Sequence, residues 1–376
     1  MVAGEASSDL LGSHLLAALG DRLSVPVHSY GIGGPLMQQQ GFEAMWPAER
    51  LSVYGYVDAV KRYRELSAIR RSLRTQLLGE RRPDVLIGVD APDFNLWLEG
   101  RVKAAGIPAV HFVSPSVWAW RGGRIKTISR SVSHVLCLFP FEPALYAKAG
   151  VAATFVGHPT ADVLPVETDQ AAARRRLGIM NASPVIAVLP GSRQSEVRSL
   201  VADYIGAMHI LQQRHPQIQF IVPLATPETQ ALFQAALAGQ DAQQSLNVAV
   251  LAGGAVDAMT AADVVLVASG TASLEAALLK RPMVICYRVG RWQYRLFKKM
   301  AYLPWVGLPN ILMNQAVVSE LLQDAVNPQQ IADALDHWLS HPAQCQQLVQ
   351  HFTDLHLELR QNTAQKAAEV VQAYLP

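Results

Sequence analysis

The chain has 376 residues, of which half are hydrophobic and 16% are charged, and its formal net charge is +2. This length exceeds one ordinary domain, so we expect two lobes. No run of 18 apolar residues occurs, which argues against a spanning helix, and the small net charge argues against a nucleic-acid-binding surface. The three cysteines lack CxxC spacing and indicate neither disulfides nor a zinc site, which fits a reducing cytoplasm.

The amino terminus has the pattern of the end of a strand. Residues 2–3 are apolar and lead into a loop over residues 4–9 and a predicted helix over residues 10–19. A buried parallel strand usually has about five residues, so we expect that the chain begins inside this strand, through truncation or a misplaced start. The missing part of the strand would leave an exposed groove in the sheet.

Strand and helix signals then alternate. A strand over residues 25–30 leads into the glycine cluster 31–34, whose spacing is not GxGxxG, so we predict a turn there. Residues 61–82 place apolar side chains at helical spacing among basic ones, which predicts a basic amphipathic helix. Its basic face is either solvated or a contact for anionic lipid, for which the candidates are Arg70, Arg71 and Arg74.

A clear buried strand over residues 84–89 ends at Asp90. Ligands gather at the carboxyl ends of strands in open α/β sheets, so Asp90 is a candidate general base. The alternative is that Asp90 or Asp93 caps the following helix. The next strand leads into a segment with Ser116 and Trp118, which either lines a pocket for a large apolar ligand or packs in the core.

In the second half of the chain, two loops follow buried strands: Gly191, Ser192 and Arg193 after one, and Ser269, Gly270 and Thr271 after the other. Small residues at a strand-to-helix turn let a ligand approach closely, and free N–H groups with the helix dipole attract an anion. Arg193 adds a guanidinium that suits phosphate, and Glu275, in a helix predicted over residues 272–280, can accept hydrogen bonds from sugar hydroxyls. Alternatively, Ser and Thr cap this helix and Glu275 complements its dipole.

A second basic and aromatic segment spans residues 288–303. Aromatic and basic side chains together suit a bilayer interface. A helix that packs over a cleft between the lobes is the alternative. The candidate membrane contacts in this segment are Arg291, Trp292, Arg295, Phe297 and Lys298.

Seven motifs follow in the order of a known family: GEASSD (4–9), GVDAPDFN (88–95), HFVSPSVWAWR (111–121), FVGHP (155–159), LPGSR (189–193), ASGTASLE (268–275) and LPN (308–310). Together they resemble the lipid-A-disaccharide synthases, a family 19 glycosyltransferase group with the GT-B fold, over essentially the whole chain. The resemblance implies an α/β protein with two Rossmann-like, doubly wound lobes that face a cleft. Residues 1–165 would bind the acceptor and residues 166–345 the UDP-sugar, and a helix over 346–376 would return to the N-terminal lobe of its own or a partner subunit.

The resemblance also implies an activity and a setting. An inverting enzyme would transfer 2,3-diacylglucosamine from UDP-2,3-diacylglucosamine to 2,3-diacylglucosamine 1-phosphate (lipid X). The products would be the β-1,6 lipid A disaccharide 1-phosphate and UDP, with no metal or other cofactor. The protein would lie at the cytoplasmic face of a Gram-negative inner membrane, peripherally attached to its anionic surface. No nucleic acid partner is implied, and a homodimer is left open.

The family's residue roles carry over to matching positions. Asp90 corresponds to the proposed catalytic aspartate, and Arg193, Glu275 and Asn310 to positions linked to nucleotide binding or activity. We expect the acceptor to be bound by Glu5, Ser7, Ser8, Ser116 and Trp118. Ser8 replaces a glycine usual in the family, and serine tolerates φ > 0 less readily. The alternatives are an enzyme like UDP-N-acetylglucosamine 2-epimerase, a MurG-like UDP-sugar enzyme and a non-catalytic lipid-binding protein.

Overall fold

A computed structural model describes residues 1–51, 56–118, 122–179, 183–239, 245–290, 292, 294–295 and 302–376, with the backbone alone for 56–61. The chain forms two compact units, one of Met1–Asp162 with Glu358–Pro376 and one of Val163–Leu357. Each unit contains one parallel sheet. The strands are β1 Val2–Ala3, β2 Tyr30–Gly33, β3 Glu43–Pro47, β4 Leu86–Val89, β5 Ala109–Phe112, β6 His134–Cys137, β7 Ala152–Phe155, β8 Val185–Leu189, β9 Gln219–Leu224, β10 Val248–Ala252, β11 Val264–Ala268, β12 Met283–Tyr287 and β13 Ser319–Leu322.

Helices connect most of these strands, as a parallel sheet requires. Within the described residues they are α1 Ala6–Arg22, α2 Pro35–Gln39, α3 Tyr56–Leu78, α4 Pro92–Ala104, α5 Arg124–Ser131, α6 Glu142–Ala147, α7 Pro159–Val163, α8 Gln170–Arg176, α9 Gln194–Arg214, α10 Pro227–Ala238, α11 Ala255–Ala261, α12 Thr271–Leu278, α13 Leu308–Met313, α14 Pro328–Ser340, α15 Pro342–Leu359 and α16 Thr363–Gln372. No helix in the described chain is long and apolar enough to span a membrane.

The first unit has seven parallel strands in the order β3-β2-β1-β4-β5-β6-β7. The chain builds the sheet outward from β1 to β3 and then adds β4 to β7 on the other side, so the winding reverses between β1 and β4. Central strands such as β4 and β5 are buried along their whole length. Continuous burial explains the apolar run LIGV of β4, which is typical of parallel strands covered on both faces, and in β5 the buried His111 pairs with Glu99.

The short strand β1 lies in the middle of this sheet. Val2 pairs with Ile32 of β2 and with Gly88 of β4. At the amino end of β1, a cavity of about 240 Å³ is lined by Met1 and by residues of neighbouring strands and helices, among them Tyr30 and Leu86. This cavity borders the two-residue strand β1.

The end of the chain packs into the first unit. Helix α16 contacts α1, and its Ala367, Ala368 and Val371 are fully buried in the core of that unit. Asp162 accepts the backbone N–H groups of residues 361–363, which include the first residue of α16. The single predicted helix over 346–376 is in fact two, α15 and α16, because Asn362 takes a left-handed φ of 55° between them.

The second unit has six parallel strands in the order β10-β9-β8-β11-β12-β13, with the reversal between β8 and β11. All five residues of β8 and of β11 are buried. The two buried strands expected before the loops at 191–193 and 269–271 are confirmed as β8 and β11. The prediction of a turn over the glycine cluster 31–34 is wrong, because Gly31 and Gly33 belong to β2.

Gly31 needs its small size within β2. It has a φ of +137°, and a Cβ there would come within 2.2 Å of the Met1 carbonyl oxygen. Glycine thus allows the β1 and β2 backbones to approach each other closely.

Candidate functional site

The two predicted nucleotide loops lie at the point of reversal in the second sheet. Leu189, the last residue of β8, pairs with Val267 of β11, so the segments that follow these strands leave the same edge side by side. Ligands in open α/β sheets bind at such a switch point, outside the carboxyl ends of the strands. The structure therefore brings residues 190–193 and 269–271 together at the expected position within this unit.

The turn from β11 into α12 has the features of an anion site. Within the described chain, the amides of Thr271 and Ala272 have no hydrogen-bond acceptor. The N-cap of α12 is Gly270, and no side chain caps the helix, since Ser269 Oγ instead donates to the Val306 carbonyl at 3.1 Å. A Cβ on Gly270 would meet no atom of the described residues within 4 Å, so among them the space beside the turn is open. The alternative in which Ser or Thr caps this helix is wrong.

Glu275 lies one turn into α12 and is partly buried. Burial raises the pKa of this carboxyl group above its ordinary value, because the charged form loses water. A carboxylate that has lost water gains from hydroxyl donors, so the position suits a hydrogen bond from a sugar.

The loop after β8 differs from the prediction in one respect. The amides of Ser192 and Arg193 donate to Glu196 Oε2 at 3.1 and 3.2 Å. Gly191 has a φ of +120°, and a Cβ there would lie 2.6 Å from the same Glu196 oxygen, so this carboxylate fills the turn. These two backbone amides are therefore already engaged, while the Arg193 side chain is 80% exposed. Glu196 was missed, although its spacing from Arg193 fits a capping box.

The Asn310 amide is engaged within its own loop, contrary to the prediction of a direct nucleotide contact. The residue is 0% exposed. Its Nδ2 donates to the Val318 carbonyl at 2.9 Å and to Glu320 Oε1 at 2.8 Å, and its Oδ1 accepts from the amides of Val317 and Val318 at 2.8 and 3.0 Å. An asparagine side chain offers two N–H donors and two lone pairs, so no group remains for a ligand.

Glu320 connects Asn310 to the anion site. Besides accepting from Asn310, it accepts the Val306 amide at 2.8 Å, and the Val306 carbonyl accepts from Ser269 Oγ at 3.1 Å. Asn310 thus supports the β11–α12 turn through two intermediate residues. Sequence reasoning missed Glu320, because nothing in its local pattern distinguishes it from a surface carboxylate.

Asp90 lies at the point of reversal in the first unit, directly after β4. It is partly exposed, and among the described residues its carboxylate has no hydrogen-bond partner. The predicted alternative that Asp90 or Asp93 caps α4 is wrong, because the N-cap is Ala91 without a side-chain hydrogen bond. Asp93 instead forms an ion pair with Arg124.

The predicted acceptor residues near the amino terminus differ in exposure. Glu5 and Ser7 are exposed, but Ser8 is 1% exposed, so a contact between its side chain and an acceptor is contradicted by burial. Ser8 lies inside α1 and is not among the residues with positive φ, so the concern about serine at this position is also wrong.

Trp118 lies in an aromatic cluster, while Ser116 is exposed. The Trp118 ring contacts Phe139 and Phe141 edge-on, with centroids 6.2 and 5.5 Å apart. Its Nε1 donates to Glu142 Oε1 at 2.9 Å. Burial raises the pKa of Glu142 to about 7, a feature that the sequence did not indicate. These contacts support the packing alternative for Trp118, and its role in an acceptor pocket stays a prediction.

The predicted basic helix is α3, whose apolar side packs in the core through Ile69, Leu73 and Leu77. The Arg70 guanidinium lies 4.2 Å from the Trp97 ring centroid. Arg71 is exposed and Arg74 partly exposed.

The second candidate membrane segment is described at few positions. Trp292 is 81% exposed, and the Arg295 guanidinium lies 5.4 Å from its ring centroid. The other predicted contacts, Arg291, Phe297 and Lys298, lie outside the described residues.

Two parallel-sheet α/β units in series define the GT-B class of fold. The UDP-GlcNAc 2-epimerase from Neisseria meningitidis, solved bound to UDP-GlcNAc, matches 99% of this chain and 98% of its own with a TM-score of 0.66 and 12% identity. The calicheamicin glycosyltransferase CalG4 matches 100% and 96% with a TM-score of 0.60 and 14% identity. At these identities the likeness concerns the fold alone, and it confirms the predicted fold class.

Sequence comparison identifies the family. The profile of the family described as Lipid-A-disaccharide synthetase matches residues 1–373. The lipid-A-disaccharide synthase of Aromatoleum aromaticum is 65% identical over all 376 residues, which cover 95% of that protein. That of Azoarcus sp. strain BH72 is 64% identical with the same coverage. The chain belongs to the lipid-A-disaccharide synthase family and is a glycosyltransferase. The epimerase-like alternative is not favoured.

Proposed function

We propose that this enzyme transfers 2,3-diacylglucosamine from UDP-2,3-diacylglucosamine to the 6-hydroxyl of 2,3-diacylglucosamine 1-phosphate, with inversion at the anomeric carbon. The observation that carries the proposal is the family match over residues 1–373, together with an open helix N-terminus at the switch point of the second unit. Binding of UDP-GlcNAc by a protein of the same fold supports a UDP-sugar as donor.

The donor diphosphate would lie against the start of α12. The unengaged amides of Thr271 and Ala272 and the positive end of the helix dipole stabilise the negative charge that develops on UDP as the anomeric C–O bond breaks. The Arg193 side chain, which is 80% exposed and lies 3.7 Å from Glu196 Oε1, supplies a cation for the same phosphates. The Glu275 carboxylate accepts a hydrogen bond from a hydroxyl group of the nucleotide sugar.

Asp90 would act as the general base. Its carboxylate is partly exposed and unengaged among the described residues, so it is available to a substrate. It takes the proton of the acceptor 6-hydroxyl as the oxygen bonds to the anomeric carbon and UDP leaves with the electron pair of the broken bond. Attack on the face opposite UDP gives the β-linked product.

UDP release from UDP-2,3-diacylglucosamine, measured with and without lipid X, tests this proposal. We expect release only with the acceptor, and a loss of turnover of roughly 10²–10⁴-fold in Asp90→Ala. Asp93→Ala is the matched control, because this carboxylate lies three residues away and is 84% exposed. Acceptor-independent turnover would point to an epimerase, and use of another acceptor would point to a MurG-like enzyme. Binding without UDP release would point to a lipid-binding protein.

We further propose that α3 and the segment around Trp292 hold the enzyme to the cytoplasmic face of an anionic inner membrane. An exposed Arg71 and a partly exposed Arg74 on α3, together with an 81% exposed Trp292, support this role. Flotation with anionic vesicles should be reduced by Arg71→Glu with Arg74→Glu and by Trp292→Ala. Arg175→Glu, on an exposed position of α8, is the matched control. Equal flotation of all variants would contradict the membrane role.

A further inference from the structure

The turn that carries Asp90 has an uncommon backbone. Asp90 and Ala91 have φ values of +52° and +43°, which place two consecutive non-glycine residues in the left-handed region. L-residues rarely adopt this conformation, and it persists only where surrounding contacts hold it. The direction of the Asp90 carboxylate therefore depends on whatever secures this turn.

The side chain of Asn95 secures it. Asn95 lies in the first turn of α4 and is 1% exposed. Its Nδ2 is 2.7 Å from the Asp90 carbonyl oxygen and 3.3 Å from that of Val2. One buried amide thus joins the main chain of the strained turn to the strand on the other side of the reversal.

Asn95 is itself held tightly. A Cβ on Gly88, two residues before Asp90, would lie 3.0 Å from the Asn95 side chain and 2.1 Å from Glu99 Oε1. Glu99 Oε1 forms a hydrogen bond with His111 Nδ1 at 2.8 Å, and both residues are almost fully buried. Since side chains in such packing have few rotamers, Asn95 cannot easily swing away from the Asp90 carbonyl.

Further backbone hydrogen bonds complete the turn without fixing Asp90 as Asn95 does. The Asp90 amide donates to the Phe112 carbonyl at 2.8 Å, and the Asn95 amide donates to the Ala91 carbonyl at 3.0 Å. The Asp90 carbonyl oxygen, however, accepts a hydrogen bond only from Asn95 Nδ2 in the described chain. Removal of the Asn95 amide would release that peptide plane.

We propose that Asn95 is a positioning residue that fixes the Asp90 carboxylate through the main chain and does not itself touch a substrate. This inference rests on the proposed role of Asp90 as the general base. Proton abstraction requires the base within about 2.6–3.2 Å of the acceptor hydroxyl, and a shift of 1 Å can reduce turnover by about 10²-fold. Loss of the Asn95 amide should therefore lower kcat and leave the KM values for both substrates nearly unchanged.

A double-mutant cycle tests the proposal. Asn95→Ala should lower kcat about 10–10²-fold when Asp90 is present and have an effect below about twofold in the Asp90→Ala background. Asn95→Ser, which retains a hydroxyl donor, should recover part of the loss. Asn247→Ala is the matched control, because its Nδ2 also donates to a backbone carbonyl, that of Ile218 at 3.1 Å, but in the second unit.

The outcomes separate this inference from the proposed function. Equal losses in both backgrounds would show that Asn95 acts through general structure and would overturn the positioning role, as would unchanged kcat in Asn95→Ala. Near-normal turnover in Asp90→Ala would instead show that Asp90 is not the general base, and the positioning role of Asn95 would then fail as well. If the alanine variant unfolds below the assay temperature, Asn95→Ser carries the same cycle, with a smaller expected loss of kcat when Asp90 is present and again an effect below about twofold in Asp90→Ala.

Discussion

Replacement of Asp9 by alanine should destabilise the first unit strongly. Asp9 is 3% exposed, and its carboxylate accepts the backbone amides of Gly34, Leu36 and Met37 at 2.8, 2.9 and 3.1 Å. It thereby ties α1 to the start of α2. A Cβ on Gly34 would lie 2.5 Å from Asp9 Oδ2, so the carboxylate is packed directly against the turn.

The expected cost follows from these contacts. A hydrogen bond to a charged group contributes about 1.5–3 kcal/mol, and three such bonds to one carboxylate are not additive. We expect Asp9→Ala to lower the free energy of unfolding by about 3–5 kcal/mol, because the freed amides remain buried. Asp162 also accepts three amides, at 2.7–3.0 Å, but is only partly buried. Asp162→Ala should therefore cost less, about 1–2 kcal/mol.

Hydrogen exchange measured by mass spectrometry checks this prediction locally, since a chain with two units need not unfold in one step. At about 1.4 kcal/mol per tenfold change, amides in α2 should exchange roughly 10²-fold faster in Asp9→Ala or more. A loss below about 1 kcal/mol, or equal effects of Asp9→Ala and Asp162→Ala, would refute the argument that burial of the freed amides sets the cost.

Three further predictions concern other sites. Asn310→Ala removes four hydrogen bonds at a 0% exposed position and should lower the melting temperature as well as kcat/KM, and an unchanged melting temperature would restore a direct ligand role. Arg193→Ala should reduce kcat/KM for the donor roughly 10²-fold. Arg198→Ala, about one turn further along α9, should leave kcat/KM for the donor unchanged. An equal reduction of kcat/KM in both variants would exclude a specific role for Arg193. Burial raises the Glu142 pKa from 4.5 to about 7, so the folded state binds an extra proton between these values. Stability should therefore fall by up to about 3 kcal/mol as the pH rises through this range, a slope absent from Glu142→Gln. If the free energy of unfolding by urea has the same pH dependence in the unmodified protein and in Glu142→Gln, this prediction is contradicted.

The central strands could be predicted because they are buried throughout. The buried strand predicted over 84–89 corresponds to β4, and the two expected before the loops of the second unit correspond to β8 and β11. Strands β3, β7 and β13 were missed, and each lies at the edge of its sheet with partly exposed residues. Each of these three strands includes a polar residue, such as Glu43, Thr154 or Glu320, that interrupts the apolar run, whereas the edge strand β10 reads VAVLA and could be predicted.

Local spacing also explains which polar residues were interpreted correctly. The open turn at Ser269 and the position of Asp90 after a buried strand depend on neighbouring residues alone. Asp9 and Asn310 receive their roles from backbone groups brought close by the fold, and for Asp9 these lie 25–28 residues away. Neither the burial of Asn310 nor its saturated amide can be read from the LPN motif.

The starts of α9 and α12, at the switch point of the second unit, are not equivalent. Their difference determines where a diphosphate would bind. At the start of α9, Glu196 already accepts the amides of Ser192 and Arg193, and its negative charge would repel a phosphate. At the start of α12, the amides of Thr271 and Ala272 are unengaged within the described chain, and no carboxylate caps them. The diphosphate should therefore bind at α12, with the α9 loop contributing through the Arg193 side chain rather than through its backbone.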